Sequence, residues 1–260
     1  DIDRLRTELG KISSREIAID PREVKNPAIE AQLIADLPGI DVIVFDKKAG
    51  FAGMRQVWRQ LKGQKFDALL HMQLALRASI LSLGIKAKYR IGFSKDRSKE
   101  GQRLVTNRHL PRSNSIHVLD NFAEFARYLG VPFASPRWHI PLADAERDFA
   151  KEITKDKKTL VISPAASKDE RNWLTDRYAA IADYATEQGL QVILCGSPAP
   201  REMQLAQAIN QLCQHPVINL TGKTSLKQLT AVLAAADVVI APDSGPAHLS
   251  TTQGTPVIGL

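Results

Sequence analysis

The chain of 260 residues contains only two cysteines, Cys195 and Cys213, so a disulfide framework is excluded. Cys195 closes an apolar strand pattern and reads as core rather than as a reactive thiol. No apolar run approaches the roughly 18–20 residues that a bilayer span requires. The longest near-candidate, Leu229 to Ala241, is interrupted by Asp237. The first residues carry Asp1, Asp3, Arg4, Arg6 and Glu8, which is not a secretory signal, and the expected compartment is the cytoplasm. The histidines at 71, 109, 117, 139, 215 and 248 show no paired ligand spacing, so no metal site is expected. No Gly-x-Ser-x-Gly elbow and no Walker-type loop is found, and the missing dinucleotide glycine fingerprint speaks against a dehydrogenase.

What is present is a regular alternation of short apolar runs with helical patterns. In the second half, strands are expected at Leu160 to Ile162, Gln191 to Leu194, Val217 to Leu220, Val238 to Ala241 and Pro256 to Leu260. Helices are expected between them, at about Thr175 to Gln188, Pro200 to Leu212 and from Ser225 onward. Thr175 and Ser225 are placed to cap their helices, and Gly189 is placed to end one. Such alternation implies a parallel sheet covered on both faces, with ligands bound beyond the carboxyl ends of the strands. The first half is less regular. Strands are expected at Ile40 to Phe45, Phe66 to His71 and Tyr89 to Phe93, and helices at Gly53 to Lys62, Ala75 to Leu83 and Ile116 to Leu129. Prolines at 132, 136 and 141 mark a linker around residues 132–156, so the chain divides into domains at 1–140 and 157–260.

The stretch Asp237-Val-Val-Ile-Ala-Pro-Asp243-Ser-Gly-Pro-Ala-His248-Leu249 carries the most chemistry. A buried strand stops at Pro242, and Asp243-Ser244-Gly245-Pro246 then opens a helix with either Asp243 or Ser244 as N-cap. The free amides and partial positive charge of such a terminus suit a phosphate or diphosphate, and Gly245 lets an anion reach the backbone. His248 follows Ser244 by four residues, yet a serine at a helix start is more commonly a cap than a nucleophile.

The charge is uneven. Between Lys86 and Arg112 there are nine Lys or Arg against Asp96 and Glu100, an excess equal to the net charge of +7 for the whole chain. A solvated loop would carry such a run, and so would a surface for nucleic acid, an acidic membrane or a phosphorylated glycolipid. Nucleic acid is disfavoured because no aromatics interleave the patch as a base-stacking platform.

The block Asp243-Ser-Gly-Pro-Ala-His248-Leu-Ser-Thr-Thr-Gln-Gly254-Thr-Pro256-Val-Ile-Gly-Leu resembles the signature of the heptosyltransferases, glycosyltransferase family 9. The resemblance extends through Val161 to Ser167, Arg171-Asn-Trp173, Arg177-Tyr178, Ile193 to Pro198 and Leu220 to Leu226. It is looser in the first half, resting on Phe66-Asp67 and Arg90-Ile-Gly92. It implies an α/β protein of the GT-B type, with two Rossmann-like parallel-sheet domains facing a cleft. It also implies an inverting, metal-independent enzyme without a cofactor that moves heptose from ADP-heptose to the inner core of lipopolysaccharide, on an acceptor of the Kdo–lipid A type.

By the same resemblance the donor site would comprise Ser167, Arg171, Gly196, Thr221, Gly222, Asp243, Ser244, Gly245, Pro246, Ala247 and His248. Arg171 would neutralise charge on the departing ADP. His248 faces either the donor or its own helix. The basic segment would meet the anionic acceptor through Lys86, Lys88, Arg90, Arg97 and Arg103, with peripheral contact to the inner face of the inner membrane and no nucleic-acid partner. The family's strand leading to a Gly-Asp turn, whose Asp is the expected general base, is not found here, so the catalytic base is unassigned. The sequence also stops directly after the fifth strand of the second half, which fits a partial polypeptide. Two alternatives stand beside this reading. One is a GT-B enzyme, transferase or epimerase, using another nucleotide sugar. The other is a non-catalytic module that binds a nucleotide sugar or an anionic lipid.

Overall fold

In the computed structural model, which describes residues 16–20, 27–133 and 138–260, every strand pairing is parallel. The chain divides into two compact units, residues 1–31 with 38–137 and residues 32–37 with 138–260.

The second unit contains α6 (Asp144–Thr154), β6 (Thr159–Ile162), α7 (Thr175–Glu187), β7 (Gln191–Leu194), α8 (Pro200–Leu212), β8 (Ile218–Asn219), α9 (Leu226–Ala235), β9 (Val238–Ala241), α10 (Gly245–Gln253) and β10 (Val257–Gly259). Its sheet runs in the order β10-β9-β6-β7-β8. The period-two alternation of a strand splits its apolar residues into two cores. Val161, Ile193, Val239 and Ala241 pack with Leu229, Val232 and Leu233 of α9 and Ala150 of α6. Leu160, Ile162, Val192, Leu194 and Ile240 pack with Tyr178, Ala182 and Ala185 of α7 and Ala206 and Ile209 of α8. Both faces are therefore dry, which is why these strands read as unbroken apolar runs.

Ser225 caps α9 as expected. Its hydroxyl accepts from the Gln228 amide at 3.1 Å, while the Gln228 side chain accepts from the Ser225 amide at 2.9 Å. Gly189 follows α7 at φ +84°, a left-handed position that glycine adopts without strain. Thr175 does not cap α7. Leu174 holds the N-cap position and Thr175 is already inside the first turn. The span 132–156, expected to be a linker, contains α6, and residues 138–156 belong with the second unit. Phe149 and Ile153 of α6 pack on the first of the two cores, an apolar stripe too short to stand out among the helix's charges.

The first unit contains β1 (Glu16–Asp20) paired with β2 (Ile40–Val44), and a second sheet β3-β4-β5 from Phe66–Leu70, Ala87–Gly92 and Arg108–His109. β1 falls where sequence periodicity is weak. The helices are α1 (Pro27–Ile34), whose last residues count with the second unit, α2 (Gly50–Gln60), α3 (Leu76–Leu83), α4 (Gln102–Val105) and α5 (Val118–Tyr128). Met54, Val57 and Leu81 of α2 and α3 bury against Phe45 and Ile85, and Phe125 of α5 buries against Ile91, Phe93 and Leu110.

Candidate functional site

Four loops leave the carboxyl edge of the second unit's sheet, and the structure ties them to one another. After β6, the Ser163 amide bonds the Ile240 carbonyl at 2.9 Å, and the Ala166 amide donates to the Asn172 side chain at 2.7 Å. Arg201, on the first turn of α8, donates to Asp169 and to the Ala166 carbonyl. This clamp holds the loop that presents Ser167 and Arg171, both exposed. Trp173 stacks edge-on against Tyr178 at 5.3 Å, and the Tyr178 hydroxyl donates to the Pro164 carbonyl at 3.4 Å. Burial pushes the Tyr178 phenol up to about 12, so it stays protonated. Trp173 is thus a packing residue.

After β7, Gly196 is fixed by crowding. A Cβ there would sit 3.0 Å from Glu202 Oε2 and 3.1 Å from Thr221 Cγ2. The Glu202 carboxylate accepts from the Ser197 amide at 2.7 Å, and the Gly222 amide bonds the Gly196 carbonyl at 3.0 Å. Gly222 itself has φ +73°, and a Cβ would press on Pro198. Cys195, just before, is fully buried, and burial pushes its thiol up to about 12, so it is no nucleophile.

After β9, Ser244 is the N-cap of α10 by backbone conformation, with Pro246 in the first turn. Its hydroxyl does not cap the helix. It is buried without a hydrogen-bond partner among the described residues, and so is the Thr221 hydroxyl two strands beyond β6 on the other side. A buried hydroxyl left unpaired costs about 1–3 kcal/mol. Both groups lie at the carboxyl edge of the sheet, after β9 and after β8. Gly245 differs from Gly196 in kind: a Cβ there would meet nothing within 4 Å, and its φ is ordinary. Neither packing nor conformation requires glycine at this place, whereas close approach of an anion to the helix terminus would. Asp243 and His248, both exposed, pair at 3.2 Å across the opening of α10. His248 therefore turns to Asp243 and not into its own helix packing.

The expected site residues thus fall into groups. Ser167, Arg171, Gly196, Thr221, Gly222 and the run Asp243, Ser244, Gly245, Pro246, Ala247, His248 all lie at this carboxyl edge. Sequence reasoning missed Arg201 and left Glu202 aside. Both sit in the first turn of the helix after β7, a placement that brings side chains back to the strand ends.

The acceptor residues fare less well. Arg90 is an internal strut of the first unit. Its guanidinium donates to the carbonyls of Val105 at 2.6 Å, Ile85 at 2.8 Å and Ser82 at 2.7 Å, and to the Ser82 hydroxyl at 2.9 Å. Arg97 donates to the carbonyls of Ser113 and Ser115 at 2.8 and 2.6 Å, bonds Asn121 and pairs with Glu124. Each arginine engages four of its five N–H groups inside the first unit, so both serve mainly as internal struts, against the expectation of acceptor contact. Lys86 and Lys88 are exposed at the amino end of β4, the wrong edge of a parallel sheet for a ligand. Arg103 is exposed on α4, beyond the carboxyl end of β4, together with Lys95 and Lys99.

That edge is rigid. Gln102, fully buried, donates to the carbonyls of His71 at 2.9 Å and Gln73 at 3.2 Å and accepts from the Phe93 amide at 3.1 Å. Its amide nitrogen also lies 3.1 Å from His71 Nδ1, while His71 Nε2 is buried without a partner among the described residues. Burial holds His71 below its usual 6.5. A Cβ at Gly92 would come within 2.9 Å of Thr106, so Arg90-Ile-Gly92 is a packing motif.

Against known proteins, residues 54–260 match the profile of Glycosyltransferase family 9 (heptosyltransferase). The lipopolysaccharide core heptosyltransferase OpsX of Haemophilus influenzae is 50% identical over 232 residues, 89% of this chain and 67% of that protein. The chain therefore spans about two thirds of that relative's length. Among solved structures, the family 9 glycosyl transferase of Veillonella parvula superposes with a TM-score of 0.77 at 25% identity, over 89% of this chain and 69% of that one. ADP-heptose lps heptosyltransferase II of Escherichia coli superposes with a TM-score of 0.75 at 17% identity, over 99% and 79%. The fold class is the GT-B class of these neighbours, with parallel-sheet α/β units.

Proposed function

The chain belongs to glycosyltransferase family 9, the heptosyltransferases, and we propose that it is a lipopolysaccharide-core heptosyltransferase whose second unit binds ADP-heptose. The observation that carries the donor site is the terminus of α10. Its amides are open above Gly245, and the buried Ser244 hydroxyl lacks a partner among the described residues. A diphosphate supplies both needs, since its oxygens accept from the helix amides and from the hydroxyl.

In the transfer, an acceptor hydroxyl forms a bond to the anomeric carbon as that carbon's bond to the diphosphate breaks. The electron pair of the broken bond leaves with ADP, and the hydroxyl proton goes to a general base. Direct displacement inverts the anomeric configuration. Charge grows on the diphosphate as the bond stretches, and Arg171, held near the edge by the Asp169–Arg201 clamp, offsets it. Arginine countercharge of this kind supports turnover without a divalent cation. The adenosine side is proposed to rest on Gly196, Thr221 and Gly222. Their support is the bond from the Gly222 amide to the Gly196 carbonyl and the buried Thr221 hydroxyl, which has no partner among the described residues.

The acceptor is proposed to be an anionic lipopolysaccharide-core lipid of the Kdo–lipid A type, met by the first unit through Arg103 with Lys95 and Lys99. No described helix is long and apolar enough to cross a membrane. A place at the cytoplasmic face of the inner membrane fits a lipid acceptor. High identity to a core heptosyltransferase favours transfer over the epimerase and binding-module readings. Calorimetric titration with ADP, UDP and GDP in the presence of a chelator tests the donor site. Selective ADP binding is expected, and equal binding of all three, or none, refutes the site.

A further inference from the structure

One helical face of the first unit departs from the usual rule that a helix on a sheet turns polar residues to water. The exposed positions of α3 and its C-cap are Leu76, Ile80, Leu83 and Gly84, and only the half-exposed Arg77 is polar beside them. Leu76, Ile80 and Leu83 form one stripe by helical spacing. The stripe continues at both ends. Trp58 of α2 donates its Nε1–H to the Leu81 carbonyl at 2.7 Å and lies so close to Gly84 that a Cβ would come within 2.3 Å. Phe51, 62% exposed, meets Trp58 edge-on at 5.7 Å. At the other end, the Leu76 amide bonds the Glu100 side chain, and the chain runs through Gly101 into α4, where Leu104 is 89% exposed.

The helices that bear the stripe carry charge of one sign. The turn Lys47–Ala49 and helices α2, α3 and α4 together hold Lys47, Lys48, Arg55, Arg59, Arg77 and Arg103, and no Asp or Glu. We propose that this face is a docking surface for an anionic phospholipid bilayer. Phe51, Leu76, Ile80, Leu83 and Leu104 enter the boundary between headgroups and acyl chains, and the cations meet lipid phosphates. An exposed apolar stripe on helices rich in Arg and Lys is the arrangement of an interfacial anchor, and each such cation strengthens binding to an anionic leaflet about fivefold. A predominantly cationic border, with Glu100 tied to the Leu76 amide, matches an anionic partner better than it matches the mixed charges of a second protein surface. The inference rests on the heptosyltransferase reading for its choice of a lipid partner, because a membrane-anchored acceptor brings the enzyme to that surface.

The test is co-sedimentation of the 260-residue chain with phosphatidylcholine vesicles, with and without phosphatidylglycerol. Binding is expected only to the anionic vesicles and should be lost at high salt. Leu83→Glu with Leu104→Glu, at two open positions, should weaken it at least about tenfold. Arg55→Gln with Arg59→Gln should weaken it about 25-fold at low salt. Both double variants should keep wild-type ADP affinity and thermal midpoint. Equal binding to both vesicle types, no binding to either, or undiminished binding by the leucine variant overturns the docking surface. So does a wild-type dimer that the leucine variant dissociates without changing vesicle binding, since the face would then join two copies. ADP titration on the same samples separates the two ideas: ADP bound without vesicle binding refutes the surface alone, and vesicle binding without ADP refutes the donor site alone.

Discussion

Ser244→Ala separates a ligand-receiving hydroxyl from a structural one, because the two roles predict opposite signs. The Ser244 Oγ is buried and has no partner among the described residues, so in the free protein it carries an uncompensated desolvation cost of about 1–3 kcal/mol. Removing it leaves the backbone of the α10 N-cap in place and relieves part of that cost. The free variant should therefore melt at the same temperature as wild type or a few degrees above it, with a gain of up to about 1 kcal/mol. A hydrogen bond to a charged acceptor contributes about 1.5–3 kcal/mol, so ADP affinity should fall about 10- to 150-fold. Differential scanning calorimetry without ligand, and titration calorimetry with ADP, read the two quantities on one preparation. The expected signature is a stability curve unmoved or raised, together with a large loss of affinity. A drop of several degrees in the free protein would show that the hydroxyl holds the loop together. Unchanged ADP affinity would show that the diphosphate does not reach it. Either result refutes the reasoning.

Arg171→Ala should lower turnover about 10²- to 10³-fold, with acceptor KM little changed, if the guanidinium stabilises charge on the leaving diphosphate; steady-state kinetics check this. Arg90→Met should cost about 3–5 kcal/mol in urea unfolding by leaving the carbonyls of Ser82, Ile85 and Val105 unpaired, whereas Arg103→Ala should leave stability within about 0.5 kcal/mol and raise the acceptor KM. His71 has a folded pKa below its unfolded 6.5, so the unfolded chain binds the extra proton; its contribution is complete above pH 6.5 and is lost as pH falls from there toward the lowered folded value. His71→Gln should flatten the pH dependence of stability in that window, measured by urea unfolding across it.

The second unit was legible because each of its strands is buried on both faces. A run such as Leu160-Val161-Ile162 needs no periodicity to be recognised when the flanking turns and caps agree. Ser225 announced its helix and did cap it, whereas Thr175 carried the same signal one residue too late in the structure. Helix α6 was hidden by prolines before it and by a charge-rich sequence whose few apolar residues suffice once α9 supplies the other wall. The proposed donor site stood in the sequence as a strand followed by Asp-Ser-Gly-Pro. What the sequence could not show is that Gly196 and Gly245 are glycines for different reasons, one crowded by Glu202 and Thr221, the other facing open space. Glu202 was set aside for its late position in sequence, yet its carboxylate reaches the edge by folding back to accept from the Ser197 amide.

The basic segment shows why counting charge along a chain locates a ligand poorly. Nine cations between Lys86 and Arg112 pointed to one anionic partner, but the fold places Lys86, Lys88, Arg90, Lys95, Arg97, Lys99 and Arg103 in three different settings. Arg90 and Arg97 saturate backbone carbonyls inside the first unit, and their charge is spent on holding loops to β4 and α5. Lys86 and Lys88 stand at the amino edge of the sheet, and Lys95, Lys99 and Arg103 at the carboxyl edge. A guanidinium is suited to the first task because its five donors form a rigid planar fork, and an ammonium is not. Arg90 and Arg97, each with four of five N–H groups engaged, are therefore internal, and the lysines of the segment stay at the surface. That division of labour also makes a sharp demand on mutagenesis: Arg90→Lys keeps the charge yet removes the fork, and should destabilise the first unit nearly as much as Arg90→Met. If Arg90→Lys were as stable as wild type in urea unfolding, the net positive charge, and not the geometry of the fork, would be what this position requires.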